Sequence, residues 1–202
     1  KSFKCSINHI KIEEPAHGTY PAWHNYFLCG VKGILDYIEK MGDFSRKGFK
    51  VAVSGNIPPA SGLSSSSALV CSAALSTGFL FDLPLNKHLL ATLSATSEQY
   101  IGTQGGGMDQ AIAIIDKKGY AQYIEFNPVR ATPIRLPNDA VFVIANSLTE
   151  ANKAATSDFN QRVVECKLAT KLLAKMTERP WQDVEKLGQL QSEILDIELE
   201  EF

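Results

Sequence analysis

The sequence predicts an α+β fold, in which strands gather in one part of the chain and helices in others. Apolar residues recur at helical spacing over residues 22–41, and Ala and Leu fill residues 68–81. Asn86 is placed to cap a further helix that runs to about residue 100. Residues 111–115 are a short apolar run, and residues 116–119 turn the chain into the first of several predicted strands, which predicts a hairpin there. The strands are predicted from shorter stretches with alternating apolar residues. These strand candidates are residues 120–126, 132–136 and 140–145.

Further elements are predicted on both sides of this central region. Residues 3–12 change the phase of their apolar alternation, which indicates a bulged strand or two short strands. Residues 49–53 alternate in the same way and predict another strand. The polar segment 146–157 is a candidate domain junction, and residues 158–176 and 181–200 read as helices.

Composition excludes several classes of protein. The 202 residues carry a formal charge of −2 and a pI near 6.1, which is not the basic footprint of a nucleic-acid-binding protein. No apolar run reaches the length of a membrane span, and no signal-peptide pattern opens the chain. The four cysteines are far apart and lack metal-site spacing, which predicts free thiols and a cytoplasmic protein.

Residues 54–68 form a connection between a predicted strand and a predicted helix that is rich in Pro, Gly and Ser. A helix N-terminus offers unpaired N–H groups and partial positive charge, and glycine lets an anion approach the backbone closely. Four consecutive serines, Ser64 to Ser67, exceed what a helix cap needs. A phosphate cradle is therefore one interpretation, and a linker with a simple cap is the other.

Two carboxylates stand out from their local pattern. Glu98 lies in the last turn of a predicted helix, where negative charge opposes the helix dipole. Asp109 follows three consecutive glycines, Gly105 to Gly107, which would let a ligand approach the backbone. A surface carboxylate and a turn aspartate are the alternative interpretations.

Two motifs resemble a known family. Residues 58–66, Pro-Pro-Ala-Ser-Gly-Leu-Ser-Ser-Ser, resemble the ATP-phosphate loop of the GHMP small-molecule kinases. Residues 98–102, Glu-Gln-Tyr-Ile-Gly, and residues 106–110, Gly-Gly-Met-Asp-Gln, resemble the second signature of the galactokinase branch. The all-glycine approach to the second motif is most similar to the N-acetylgalactosamine kinase group of that branch.

The resemblance implies a two-domain architecture. Residues 1–157 correspond to the N-terminal ATP-binding domain, a two-layer split βαβ unit of the ribosomal-protein-S5-domain-2 type, without its first sugar-binding segment. Residues 158–202 correspond to the helical start of a ferredoxin-like C-terminal domain. We therefore expect an internal piece of a longer, monomeric enzyme, and we expect the piece to be inactive alone.

The same resemblance implies two cofactors, ATP and Mg²⁺, and a set of site residues. Asp109 corresponds to the catalytic carboxylate, and Ser66 and Glu98 to the Mg²⁺ ligands. The residues implied to bind ATP are Gly62, Leu63, Ser64, Ser65, Ser66, Ser67, Asn152 and Lys153. The residues implied to bind the sugar are Gly105, Gly106, Asp109 and Phe159.

The resulting hypothesis is an ATP-dependent kinase for the anomeric hydroxyl of N-acetylgalactosamine or galactose, without nucleic-acid or membrane partners. One alternative is a non-catalytic sugar and ATP sensor that binds a regulatory partner; the presence of both Glu98 and Asp109 argues against it. The other is a GHMP kinase with a non-sugar alcohol acceptor, which the sequence around Met108 disfavours.

Overall fold

The computed structural model describes residues 2–13, 16, 19–42, 45, 47–126, 129–150 and 157–195. Within them the chain forms helices and one pair of strands. These elements are α1 (Trp23–Met41), α2 (Ser65–Leu80), α3 (Lys87–Glu98) continued by a 3-10 turn (Gln99–Ile101), α4 (Met108–Ile115), β1 (Tyr120–Glu125), β2 (Arg130–Arg135), α5 (Asp158–Met176) and α6 (Leu187–Leu195). The chain divides into two compact units, Lys1–Thr156 and Ser157–Phe202.

The core of the first unit lies between α1, α2 and α3. The apolar stripe of α1 faces inward, with Ile34 and Leu35 fully buried. It packs against the small residues Ala73 and Ala74 of α2 and against Leu90 of α3. This arrangement confirms the prediction that helical periodicity over residues 22–41 marks a buried face.

Glycines bring α1 close to both of its neighbours. A Cβ atom added at Gly30 would lie 2.3 Å from the carbonyl oxygen of Val70 and 2.8 Å from the Cβ of Ala73. One turn later, a Cβ added at Gly33 would overlap the Ser97 side chain of α3. The backbone of α1 therefore contacts α2 and α3 at positions where no side chain fits.

We expect Gly30→Ala to destabilise the first unit. The new methyl group meets the backbone of α2, and overpacking of this kind costs about 1–3 kcal/mol. The matched control is Gly78→Ala, also within a helix, where the added methyl meets only the mobile end of Leu85. Thermal unfolding should show a lower Tm for Gly30→Ala and little change for Gly78→Ala. An equal loss in both variants would contradict the close-packing explanation.

The two strands form an antiparallel hairpin. Tyr120 pairs with Arg135 and Glu125 with Arg130, and Gly119 precedes the hairpin with a φ of 86°. The predicted strand at 120–126 is confirmed, but the predicted hairpin across the turn at 116–119 is wrong, because residues 111–115 belong to α4 and β1 pairs with β2 instead. Strand β2 begins two residues before the predicted start at 132. Helices combined with this small sheet are compatible with the predicted α+β class.

Three predicted strands are wrong within the described residues. Residues 3–12, 49–53 and 140–145 have no strand partner there. The apolar residues of the last stretch are largely exposed, as for Val143 at 89 % and Ile144 at 88 %. Alternation selects a side-chain face, but a strand also needs hydrogen bonds from a neighbour, which an isolated segment does not supply.

Helix boundaries differ from the predicted ones in informative ways. Asn86 caps α3 as predicted, accepting from the N–H of Leu89 at 2.8 Å. However, α2 begins at Ser65, inside the serine run, and the short apolar run after Asp109 belongs to a helix that already begins at Met108.

The second unit is a small helical assembly. Helices α5 and α6 pack around Ala174, Val184 and Leu190. The predicted helix at 181–200 begins only at Leu187, and Lys171 Nζ donates to the carbonyls of Trp181 and Gln182 before it. Across the described residues, no helix combines the length and apolar character that crossing a membrane requires.

Candidate active site

The loop before α2 adopts a strained, open conformation. Ala60, Gly62 and Ser64 have φ angles of 56°, 75° and 57°. Left-handed conformations in non-glycine residues are costly and concentrate at functional sites. Ser64 occupies the N-cap position, yet its side chain makes no capping hydrogen bond. The serines are therefore not explained as a simple helix cap.

The first turn of α2 presents backbone donors. The first backbone hydrogen bond at this end joins the Ala68 N–H to the Ser64 carbonyl at 2.9 Å. The N–H groups of Ser65, Ser66 and Ser67 precede it and have no partner within the helix. Gly62 and Leu63 are exposed, so the loop is accessible. Donors at a helix N-terminus beside an exposed glycine loop suit an anion such as phosphate.

Glu98 lies where three helix ends meet. Its Oε2 atom accepts hydrogen bonds from Ser67 Oγ at 2.8 Å and from Gln110 Nε2. Gln110 Nε2 also donates to Ser67 Oγ at 3.2 Å. All three side chains are buried, with 9 % of Glu98 exposed. We call these residues the Ser67–Glu98–Gln110 cluster.

The helix dipoles explain why a carboxylate is tolerated at the end of α3. Glu98 opposes the dipole of its own helix, but Ser67 and Gln110 belong to the first turns of α2 and α4. Both of those helices present their positive ends to the carboxylate. The unfavourable local position of Glu98 is therefore offset by two helices that sequence reasoning did not connect with it.

Two buried thiols lie near the cluster. Burial, and then the negative charge of Glu98, raises the pKa of Cys29 to about 12. Burial also raises the pKa of Cys71 to about 11; the Ser94 side chain opposes this increase, and the charges of Glu98 and Asp109 add to it. The predicted free, buried thiols are confirmed for Cys29 and Cys71, whereas Cys5 and Cys166 are exposed.

Asp109 lies in the first turn of α4, directly before Gln110. It is half-buried, and the N-cap position belongs to Gly107 rather than to Asp109. A carboxylate in the first turn is stabilised by the positive end of the helix. Because Gln110 donates to Glu98, the first turn of α4, which contains Asp109, lies beside Glu98.

The three glycines before α4 have different environments. Gly107 has a φ of 96°, and an added Cβ would lie 2.9 Å from Ala95, so the backbone itself requires glycine there. An added Cβ at Gly106 would lie 3.4 Å from the Phe126 ring. At Gly105 it would meet nothing within 4 Å. The absence of a side chain at Gly105 is therefore not required by packing.

The structure brings together only part of the predicted site. The serine that contacts Glu98 is Ser67, the neighbour of the predicted metal ligand Ser66. Phe159 is half-buried in the first turn of α5, in the second unit. Asn152 and Lys153 lie outside the described residues. Gln110 was missed, although its position next to Asp109 was an available signal.

The donor set fits a hard divalent cation. Mg²⁺ takes oxygen ligands and uses one or two from protein. In the described part of the chain, both hydrogen bonds of the Glu98 carboxylate go to Oε2, which leaves Oε1 for a ligand. Ser66, also in the first turn of α2, adds a hydroxyl oxygen at the end of the loop before that helix. Glu98 could therefore contribute one ligand to Mg²⁺, and Ser66, the other predicted ligand, is the chain neighbour of the serine that contacts Glu98.

Comparison with known proteins shows which protein family part of the chain is similar to. Residues 25–117 match the GHMP kinases N terminal domain, a range that contains the loop before α2, Glu98 and Asp109. This part of the chain is thus similar to the N-terminal domain of the GHMP kinases.

The relatives compared here are galactokinases. The chain is 42% identical over 172 residues to the galactokinase of Dictyostelium discoideum, covering 84% of this chain and 34% of the relative. It is 34% identical over 186 residues to that of Saccharomyces cerevisiae, covering 81% and 35%. It is 37% identical over 172 residues to that of Schizosaccharomyces pombe, covering 78% and 33%. The chain thus spans about a third of their length. These matches support the galactokinase branch of the GHMP superfamily.

Proposed function

We propose that the protein is an ATP- and Mg²⁺-dependent kinase that phosphorylates the anomeric hydroxyl of galactose or N-acetylgalactosamine. The observation that carries the proposal is the meeting of the first turns of α2 and α4 at Glu98. In the proposal, this meeting joins the loop that binds phosphate, the carboxylate that holds the metal and the carboxylate that acts on the acceptor, the three parts that phosphoryl transfer needs. The galactokinase name of the relatives supports a galactose-like acceptor.

In this proposal, the loop of residues 62–67, which we call the phosphate loop, binds the nucleotide. The backbone N–H groups of residues 62–67 donate to the phosphate oxygens of ATP, and the hydroxyls of Ser64, Ser65 and Ser66 add further donors. The positive end of α2 stabilises the phosphate charge. Asn152 and Lys153 are assigned to the nucleotide as well, because a lysine offsets charge that the loop does not neutralise.

The two carboxylates take separate roles. Glu98 and Ser66 hold Mg²⁺, which when bound neutralises charge on the phosphates. Asp109 accepts the proton of the anomeric hydroxyl, or holds that hydroxyl in line for transfer. Gly105 and Gly106 border the sugar.

The proposal also covers the architecture of the whole protein. Residues 1–157 are assigned to a split βαβ ATP-binding domain and residues 158–202 to the start of a ferredoxin-like domain. We propose that the protein acts as a cytoplasmic monomer.

The direct test is a sugar-dependent kinase assay with the full-length protein. ADP formation from ATP should require Mg²⁺ and should increase when galactose or N-acetylgalactosamine is added. Mass spectrometry should identify the product as the sugar 1-phosphate. ADP formation that is the same with and without either sugar would contradict the proposal.

We expect Gly105 to influence the choice between the two sugars. A larger side chain fits the fold there, since an added Cβ meets nothing within 4 Å, but it would occupy space for a 2-acetamido group. Gly105→Leu should lower turnover of N-acetylgalactosamine by about 10–200-fold more than turnover of galactose. Gly48→Leu, at another unobstructed glycine, is the control and should leave the ratio unchanged. Equal losses on both sugars would show that the acetamido group lies elsewhere.

A further inference from the structure

We propose that Ser67 and Gln110 are positioning residues that fix the Glu98 carboxylate for a divalent cation. Through Glu98 they also couple the first turn of α2 to the first turn of α4. The inference rests on the proposed function, because it takes Glu98 as the cation ligand.

The hydrogen bonds define the orientation of the carboxylate. Ser67 Oγ and Gln110 Nε2 both donate to Oε2, and they come from different helices. A carboxylate held at one oxygen by two such donors cannot rotate freely. Its second oxygen, Oε1, then faces a fixed direction and is available to a cation. Partners that orient metal ligands in this way are a common determinant of metal affinity.

Burial makes the three groups dependent on one another. Ser67 is 2 % exposed, Gln110 5 % and Glu98 9 %. In a buried cluster a missing partner is not readily replaced by bulk water, and the remaining polar groups are left unsatisfied. Removal of either donor should therefore change the orientation of Glu98.

The residues next to Ser67 and Gln110 in sequence connect the cluster with the rest of the candidate site. Ser67 directly follows Ser66 of the phosphate loop, and Gln110 directly follows Asp109. The hydrogen bond between Gln110 and Ser67, at 3.2 Å, joins the two helix starts directly. The cluster therefore sets the spacing between the phosphate loop and the carboxylate assigned to the acceptor.

The test compares Ser67→Ala and Gln110→Met in the full-length protein. Electron paramagnetic resonance measures the affinity for Mn²⁺ in the presence of ATP, and a Mg²⁺ titration measures the activity. We expect each variant to bind Mn²⁺ about 10–100-fold more weakly. Affinity for ATP without metal should stay unchanged in Gln110→Met, since Gln110 is not assigned to the nucleotide.

Two matched controls carry the same substitutions elsewhere. Ser72→Ala removes a hydroxyl that donates to the Ala68 carbonyl in its own helix. Gln161→Met removes an amide of α5 that donates to the Oγ atom of Ser157, the residue before that helix. Both controls should keep the affinity for Mn²⁺ of the parent protein.

Each outcome has a defined meaning. Unchanged affinity for Mn²⁺ in Ser67→Ala and Gln110→Met, whatever their Tm, overturns the positioning role. If one variant fails to fold, the milder Ser67→Cys, which keeps a weak donor, should show an intermediate affinity; parent-like affinity overturns the role. Glu98→Gln separates the positioning role of Ser67 and Gln110 from the assignment of Glu98 as the cation ligand. Weak binding in Glu98→Gln with parent-like binding in the other variants rejects the positioning role alone, whereas parent-like binding in Glu98→Gln rejects the cation assignment.

Discussion

Asp109→Asn in the full-length protein should lower kcat by about 10²–10⁴-fold while leaving ATP binding almost unchanged. The substitution keeps the volume and one acceptor oxygen but removes the charge and the basicity. Asp109 is half-buried in the first turn of α4 and is assigned to the acceptor rather than to the nucleotide, so the change should affect transfer rather than ATP binding.

The matched control is Asp116→Asn, at the opposite end of the same helix. Asp116 is exposed, and its substitution should leave kcat unchanged. Steady-state kinetics with varied sugar and ATP would measure both variants. A parent-like kcat in Asp109→Asn would show that this carboxylate does not act on the acceptor hydroxyl.

Glu98→Gln should act mainly through the metal. The amide keeps an oxygen that can accept from Ser67 and Gln110, and it places an NH₂ group where Oε1 stood. An NH₂ group donates hydrogen bonds and is not a ligand for Mg²⁺. The concentration of Mg²⁺ needed for half-maximal activity should therefore rise by at least about 10-fold.

A magnesium titration distinguishes the two carboxylates. Activity of Glu98→Gln should recover in part as Mg²⁺ increases, whereas Asp109→Asn should not recover. Glu39→Gln, at an exposed glutamate near the C-terminal end of α1, is the control and should keep the parent response. Equal recovery in Glu98→Gln and Asp109→Asn would contradict the assignment of separate roles.

Local sequence predicted the helices well and the strands poorly. The apolar stripe of α1 and the Asn86 cap are determined by residues close in the chain, and both are confirmed. The strand at 140–145 was wrong within the described residues, since alternation alone does not provide a hydrogen-bonded neighbour. The hairpin predicted across residues 116–119 was also wrong, because the apolar run before it belongs to α4, and a run of five apolar residues does not distinguish a helix from a strand.

The sequence by itself determined the individual parts of the candidate site: a serine-rich helix start, a carboxylate at a helix end, and an aspartate after three glycines. It did not determine which serine faces Glu98. Successive helical residues point about 100° apart, so only the packing of α2 against α3 and α4 directs Ser67 inward. Contacts across 31 residues, from Ser67 to Glu98, and across 12, from Glu98 to Gln110, exist only in the tertiary structure. Glu98, unfavourably placed at the end of its own helix, is stabilised only because the first turns of two other helices contact it.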